Sequence, residues 1–347
     1  MSYMRRVQRT GRSTYIVSLP KEWIKKLGIS NGSTIYLEEQ PDGSLRITAK
    51  MQQPVRLERA IRVSGGNATS NVIREVISSY LAGFTSVRIE FDDDSVIDKS
   101  KLKEVVESSI IGFNVIEETP GYILFYNVAY PSELPLFKAL GNAFRVTYSM
   151  LRDCYKGMKD GEQALLDNVI ERDDLVDRLY LLVAKQLNHL LSGKLRPEDL
   201  NLQSIPEALH VFLGAKSIER VADHATLIAT YSKNILSKAN EIPGVLLSAL
   251  DEASIIFENA ARSLVYLNKD RAMRTAVIVE EFWDKQASII NELKSDPSVE
   301  AYLIFDSIKR ITGYSLDIAE AVIDIMSVRA YIDELGKTIR GSGSSEG

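Results

Sequence analysis

Glu219 and Asp223 stand four residues apart in the amphipathic run Ser217-Ile218-Glu219-Arg220-Val221-Ala222-Asp223-His224-Ala225-Thr226-Leu227-Ile228-Ala229, and Asp173 and Asp177 carry the same spacing upstream. Residues four apart on a helix share a face, with Cβ atoms roughly 6 Å apart, so each pair sets two like charges side by side. That is unfavourable unless a cation lies between them. Two such helices packed face to face gather four carboxylates on one patch, the arrangement a hard cation or small cation cluster requires. All-oxygen ligation points to a divalent or trivalent ion such as Mg2+, Mn2+, Ca2+ or iron rather than zinc, because no Cys or His cluster accompanies it. His224 follows Asp223 directly and is turned about 100° from the pair, so it reads as a core or capping histidine.

The elements that must hold these residues belong to a chain of 347 residues, 45% hydrophobic, which is enough for two or three domains with their own cores. Residues 1–51 read as short strands around one helix. Positions 7–18 alternate about Thr10-Gly11-Arg12, Pro20 opens a helix over 21–27, Gly28 ends it, and Trp23 is its core plug. Asn31-Gly32 and Pro41-Asp42-Gly43 are turns between the alternating runs 34–39 and 44–49. So small a unit needs a second copy of itself to enclose a core. Gln52-Gln53-Pro54 reads as a linker, and residues 54–130 then spell strand 57–63, helix 67 or 69 to 82, strand 86–91, helix 95–111, and strands 115–118 and 122–128, a small α/β sandwich. Within it, Ser64-Gly65-Gly66-Asn67 could cradle a phosphate at a helix N-terminus. With no dinucleotide fingerprint or Walker lysine beside it, a tight turn and N-cap is the preferred reading.

Pro131 and Pro135 mark the next boundary, and residues 133–340 are helical in period. An internal repeat divides them into 133–240 and 243–335. Asp173 and Asp177 fall over Glu280 and Asp284, Lys159-Asp160 over Lys269-Asp270, Ser217-Ile218-Glu219-Arg220 over Ser307-Ile308-Lys309-Arg310, and Leu227-Ile228-Ala229 over Asp317-Ile318-Ala319. The expected fold class is multidomain α+β: a small β-rich domain, an α/β sandwich middle domain, and an all-α body of two related three-helix bundles. Residues 341–347 read as a flexible tail.

One cysteine, Cys154, excludes an internal disulfide framework, and the opening Met-Ser-Tyr-Met-Arg-Arg has no apolar signal core. No apolar run approaches the roughly 18 residues that span a bilayer, and a cytoplasmic protein is expected. The net charge of −5 hides an asymmetry: residues 1–50 hold nine Lys/Arg against four acids, and the remainder 33 against 43. A small basic module on a large acidic body is expected where one end meets a polyanion. Three histidines, at 189, 210 and 224, and no nucleophile elbow leave no acid–base or covalent constellation, so no enzyme is expected. Two-metal phosphoester hydrolysis is the catalytic alternative.

Asp173-Asp174-Leu175-Val176-Asp177 and Glu219-Arg220-Val221-Ala222-Asp223-His224-Ala225 resemble the acidic helix signatures of PhoU-type phosphate-uptake regulators, and the duplicated three-helix layout agrees. The resemblance implies one metal cluster per repeat, built by Glu/Asp-x-x-x-Asp pairs on facing helices. Asp173, Asp177, Glu219 and Asp223 fill that pattern in the first repeat. Glu280 and Asp284 fill half of it in the second, where the partner positions are Lys309 and Gly313 and an internal ion pair is expected in place of metal. The run from Arg5 to Trp23 resembles the swapped-hairpin AbrB/SpoVT/MazE-like domain, in which two chains interlace and basic residues enter double-stranded DNA. Arg5, Arg6, Arg9, Arg12 and Lys21 would do so here. The arginines admit three roles: phosphate contacts, base edges, or interchain pairing with Glu38 and Glu39. The three-part layout is similar to archaeal PhoU-related regulators. It implies a homodimeric, DNA-binding transcriptional regulator of phosphate uptake whose metal-binding body senses metal, inorganic phosphate or a transporter ATPase. The alternative is a metal-dependent adaptor for such an ATPase or a signalling kinase, with the N-terminal domain used only to dimerise.

Overall fold

The computed structural model describes residues 3–39, 43–49, 57–128, 134–238, 241–294 and 298–342, with side chains to 338. The expected turn residues Pro41 and Asp42, the Gln52-Gln53-Pro54 linker, Pro131 and residues 343–347 lie outside these. Two compact units divide the chain, residues 1–55 with 332–347 and residues 56–331.

In the first unit, β1 (Gln8–Thr10) and β2 (Thr14–Ile16) pair antiparallel with Gln8 opposite Ile16, and Gly11 takes the positive φ that the connecting turn demands. α1 (Lys21–Lys26) follows extended Pro20 and stops before Gly28, again at positive φ. β3 (Tyr36–Glu39) and β4 (Leu45–Thr48) form a second antiparallel pair. No described residue from 3 to 49 is buried. Tyr15, Ile16, Val17, Leu37 and Leu45 are exposed, and Trp23, expected as a core plug, is only half-buried.

The second unit begins with an α/β layer. β5 (Glu58–Val63), α2 (Thr69–Ala82) and β6 (Ser86–Phe91) form a parallel crossover, and α3 (Lys99–Ser109) leads to β7 (Phe113–Glu118) and β8 (Tyr122–Asn127). The sheet order is β5-β6-β8-β7, with β8 antiparallel to both neighbours. Ile61, Val63, Val87, Ile89, Phe113, Ile123 and Phe125 pack with Val72, Val76 and Tyr80 of α2 and Leu102 and Val106 of α3 in one core. α3 starts four residues later than expected because the Asp98 side chain accepts the Lys101 N–H and caps it there. In the Ser64-Gly65-Gly66-Asn67 turn, Asn67 Oδ1 accepts the Ser64 N–H at 2.8 Å and the α2 N-cap is Ala68. A Cβ built on Gly65 would lie 2.8 Å from the Asp94 carbonyl oxygen and 2.9 Å from its carboxylate, so a negative charge already faces this loop.

The body is α4 (Leu136–Asp160), α5 (Gln163–Leu191), α6 (Glu207–Ser237), α7 (Gly244–Val265), α8 (Lys269–Asp284), α9 (Gln286–Leu293) and α10 (Val299–Ser342). Apolar residues three and four apart on α4, from Leu136, Ala139 and Leu140 to Leu151 and Met158, place it at the centre against α5, α6 and α7. The repeat shows in burial: Ser217 and Ile218 match buried Ser307 and Ile308, and Ile228 and Ala229 match Ile318 and Ala319. Two features depart from it. The middle helix of the second half breaks at Lys285, and Lys159-Asp160 ends α4 whereas Lys269-Asp270 begins α8, because α7 is shorter than α4 and Asn268 caps α8. Fully buried Glu207 on α6 accepts Arg329 Nε at 3.0 Å and Nη2 at 2.8 Å, tying α10 back to the first half. Gly341 and Ser342, read as tail, continue α10. No helix among the described residues is long and apolar enough to cross a membrane.

Candidate metal centre

α5 and α6 pack along their length, and small residues at 215, 222, 225 and 229 let α6 lie close in the bundle. Val176 and Leu179 point α5 into the core, which turns Asp173 and Asp177 toward α6. Ile218, Val221 and Ala222 do the same for α6 and aim Glu219 and Asp223 back. One carboxylate oxygen each from Asp177, Glu219 and Asp223 lie within 4.8 Å of one another, the one such trio among the described residues. Glu219 is 8% exposed, and its Oε2 has no hydrogen-bond partner; neither has the buried Oδ1 of Asp173. Burial, then the charges of Asp177 and Asp223, pushes the Asp173 carboxyl up to about 7. Burial, then Glu219 and Asp223, pushes Asp177 up to about 6. Asp173 thus belongs to the same electrostatic cluster, one turn behind the trio.

Hard oxygens, unpartnered lone pairs and uncompensated charge fit a hard cation. Oxygens within 4.8 Å of one another are close enough for one such ion to reach all three. Two cations of the chain itself also touch these oxygens. Lys216 Nζ donates to Glu219 Oε1, and Arg220 Nη1 lies 3.1 Å from Asp223 Oδ2 with its Nε 3.8 Å from Glu219 Oε2. Sequence reading missed both, although each stands three residues before a ligand candidate, a spacing that places opposite charges in contact.

A PhoU domain model matches residues 140–232, the stretch that holds all four carboxylates. That stretch is similar to a PhoU domain. Residues 8–55 match the model of the antidote-toxin recognition protein MazE, a bacterial antitoxin. Solved structures that are similar to the chain include two PhoU proteins. PhoU from Pseudomonas aeruginosa is 16% identical over 55% of this chain and 95% of its own, with a TM-score of 0.48. The phosphate transport system regulatory protein PhoU from Streptococcus pneumoniae is 13% identical over 55% and 93%, with a TM-score of 0.46. No curated protein sequence matches the chain.

The second half of the helical body, outside the matched stretch, gathers no comparable trio among the described residues. Glu280 and Asp284 are exposed at the end of α8, where the helix breaks. Lys309, expected to replace a metal by pairing there, instead lies 3.8 Å from Asp306 on its own helix. His224 lies off the cluster, stacked on Tyr314 with ring centroids 5.8 Å apart. Arg5, Arg6, Arg9, Arg12 and Lys21 are all exposed, and Arg9 donates to the Arg12 carbonyl across the β1–β2 turn. An open groove of about 500 Å³ on another face of α5, lined by Asp153, Asn168, Glu171, Arg172, Leu175 and Arg178, includes none of the four cluster carboxylates.

A buried basic group was also invisible in the sequence. Lys185 is 2% exposed, its Nζ 3.8 Å from the Tyr80 ring centroid and without a hydrogen-bond partner. Nearby, Lys194 Nζ donates to the Gly83 carbonyl at 3.2 Å and Asn188 Nδ2 to that of Leu81 at 2.9 Å. These donors from α5 and the loop after it meet the carbonyl end of α2, where the helix dipole favours positive charge. Burial, then Lys185 and Lys194, pulls His189 down to about 4.

Proposed function

We propose that this protein regulates phosphate homeostasis, binding DNA through paired N-terminal units and a hard metal ion through its PhoU domain. The observation that carries the reading is the convergence of Asp177, Glu219 and Asp223, with Asp173 behind them and the buried Glu219 Oε2 without a hydrogen-bond partner, inside the stretch that matches the PhoU domain. Asp177, Glu219 and Asp223 would hold the ion and Asp173 would complete the negative field. Mg2+, Mn2+, Ca2+ and iron suit this donor set. Asp177 of α5 and Glu219 and Asp223 of α6 would share the positive charge that such an ion supplies when bound. A change in bundle packing would then alter the spacing of two N-terminal units and their fit to DNA half-sites. Inorganic phosphate or a phosphate transporter's ATPase is the further partner of the helical body.

DNA binding draws support from the MazE match, the +5 charge of residues 1–50 and the exposure of the arginines. Exposed Tyr15, Ile16, Leu37 and Leu45 support pairing with a second copy, and that feature also suits a unit that only dimerises an adaptor. Fluorescence anisotropy on a duplex carrying the protein's own promoter separates the two. A DNA regulator binds at low salt, with affinity falling steeply as salt rises, and loses binding when Arg5, Arg6, Arg9 and Arg12 all become Ala. No binding at low salt, or none lost in that variant, would leave the adaptor reading.

A further inference from the structure

We infer that Lys216 and Arg220 are built-in occupants of the carboxylate site, which a metal must displace, so that these two side chains set its affinity and report its loading. The inference rests on the metal reading above and adds how the site is regulated. Glu219 and Asp223 each offer two oxygens. Lys216 Nζ is on Glu219 Oε1, and Arg220 spans the gap from Glu219 Oε2 at 3.8 Å to Asp223 Oδ2 at 3.1 Å. The same trio holds its oxygens within 4.8 Å of one another, so an ion between them is bound by the very carboxylates that hold both cations. An ammonium or guanidinium cannot remain hydrogen-bonded to an oxygen lone pair that is donated to a metal, and two positive charges within a few ångströms repel.

Both cations have somewhere to go. Lys216 Nζ is already 4.7 Å from the Tyr180 ring centroid, a face that would keep the ammonium after it leaves Glu219. Arg220 is exposed and would turn outward to water. Asp173 and Asp177 have no such partner, since no ion pair among the described residues reaches them, so the α5 side of the site is clear of the chain's own cations while the α6 side is masked. The metal-free state is thus half-neutralised from within, and the cost of expelling Lys216 and Arg220 lowers metal affinity to a range in which occupancy can vary.

Mn2+ is a direct probe, because free and bound ion are separated by electron paramagnetic resonance. Titration of the full-length protein should give a dissociation constant at least tenfold lower for Lys216→Met than for wild type, with a smaller gain for Arg220→Gln. A readout on the unaltered chain accompanies it: acylation of Lys216 by an amine-reactive ester, followed by mass spectrometry, should rise severalfold on adding saturating Mn2+, while Lys309 stays constant. If Mn2+ binds wild type and Lys216→Met within twofold of each other and Lys216 acylation does not change, the metal site stands and the displacement mechanism falls. If Mn2+ binds none of the proteins, or binds Glu219→Gln with Asp223→Asn as tightly as wild type, the metal reading itself falls and this inference with it.

Discussion

Asp177→Asn should make the metal-free protein more stable and the metal-loaded protein less stable than wild type. The side chain sits with Asp173, Glu219 and Asp223, four carboxylates against Lys216 and Arg220, and burial with that excess charge raises it from 3.8 to about 6. A carboxyl whose folded pKa is raised binds more protons in the native state, so its contribution to stability is fully present below about pH 4 and is lost as pH rises through 6. A rise of that size corresponds to about 3 kcal/mol, and solvent screening of a partly open group reduces this to roughly 1 kcal/mol. Asn keeps the shape and removes the charge, so chelated Asp177→Asn should melt about 2–4 °C above wild type at pH 8. At pH 4 the two should melt together. With Mn2+ at a hundredfold over its dissociation constant, wild type gains about 2.7 kcal/mol and the order reverses. Circular dichroism melts at 222 nm, at both pH values and with chelator or Mn2+, supply all four comparisons. A variant less stable than wild type at pH 8 in chelator, or a gain equal at both pH values, would refute the electrostatic account of this cluster.

Three further outcomes follow from other parts of the fold. Burial, then Lys194, pulls Lys185 down to about 7, so the native state binds fewer protons than the unfolded chain and wild type loses stability as pH falls from about 10 to 7. Lys185→Met should flatten that limb and raise the pH 7 melting temperature, and a lower one would show that the contact with Tyr80 outweighs desolvation. Gly83 has φ 92°, and a Cβ there would lie 2.8 Å from both His189 Nε2 and Lys194 Nζ. Gly83→Ala should therefore cost about 2 kcal/mol or more in urea melts, against less than ~0.5 for Gly66→Ala, which meets open space; equal effects would contradict the tight junction. Cys154 is fully buried, its Sγ 3.3 Å from the Ala225 carbonyl, and burial pushes its thiol far up. It should react with an aromatic disulfide reagent only when urea unfolds the bundle, and rapid native labelling would contradict that packing.

Periodicity carried most of the secondary structure, because helices and strands here bury one face each. β6 and α2 end where alternating and three-four patterns stop, and Gly28 and Gly83 close α1 and α2 with the positive φ their type allows. The start of α3 moved to Lys99 because several acids could cap it and only the fold decides that Asp98 does. The α8–α9 break at Lys285 has no sequence signal of the Gly or Pro kind. At the candidate site, i to i+4 spacing made both carboxylate pairs legible, but not that Asp177 would meet Glu219 and Asp223 while Asp173 stands behind. The roles of Lys216 and Arg220 were legible in principle from their i to i+3 spacing. The setting of Lys185 was not, since the partner that buries it, Tyr80, lies more than a hundred residues earlier on α2.

Metal content tests the central claim most directly. The full-length protein, dialysed against Mn2+ or Fe2+ and then against metal-free buffer, should retain metal by elemental analysis, and Asp177→Ala with Asp223→Ala should retain little. Glu280→Ala with Asp284→Ala should match wild type, because those carboxylates stand exposed where α8 breaks. Equal metal in wild type and Asp177→Ala with Asp223→Ala would contradict the account.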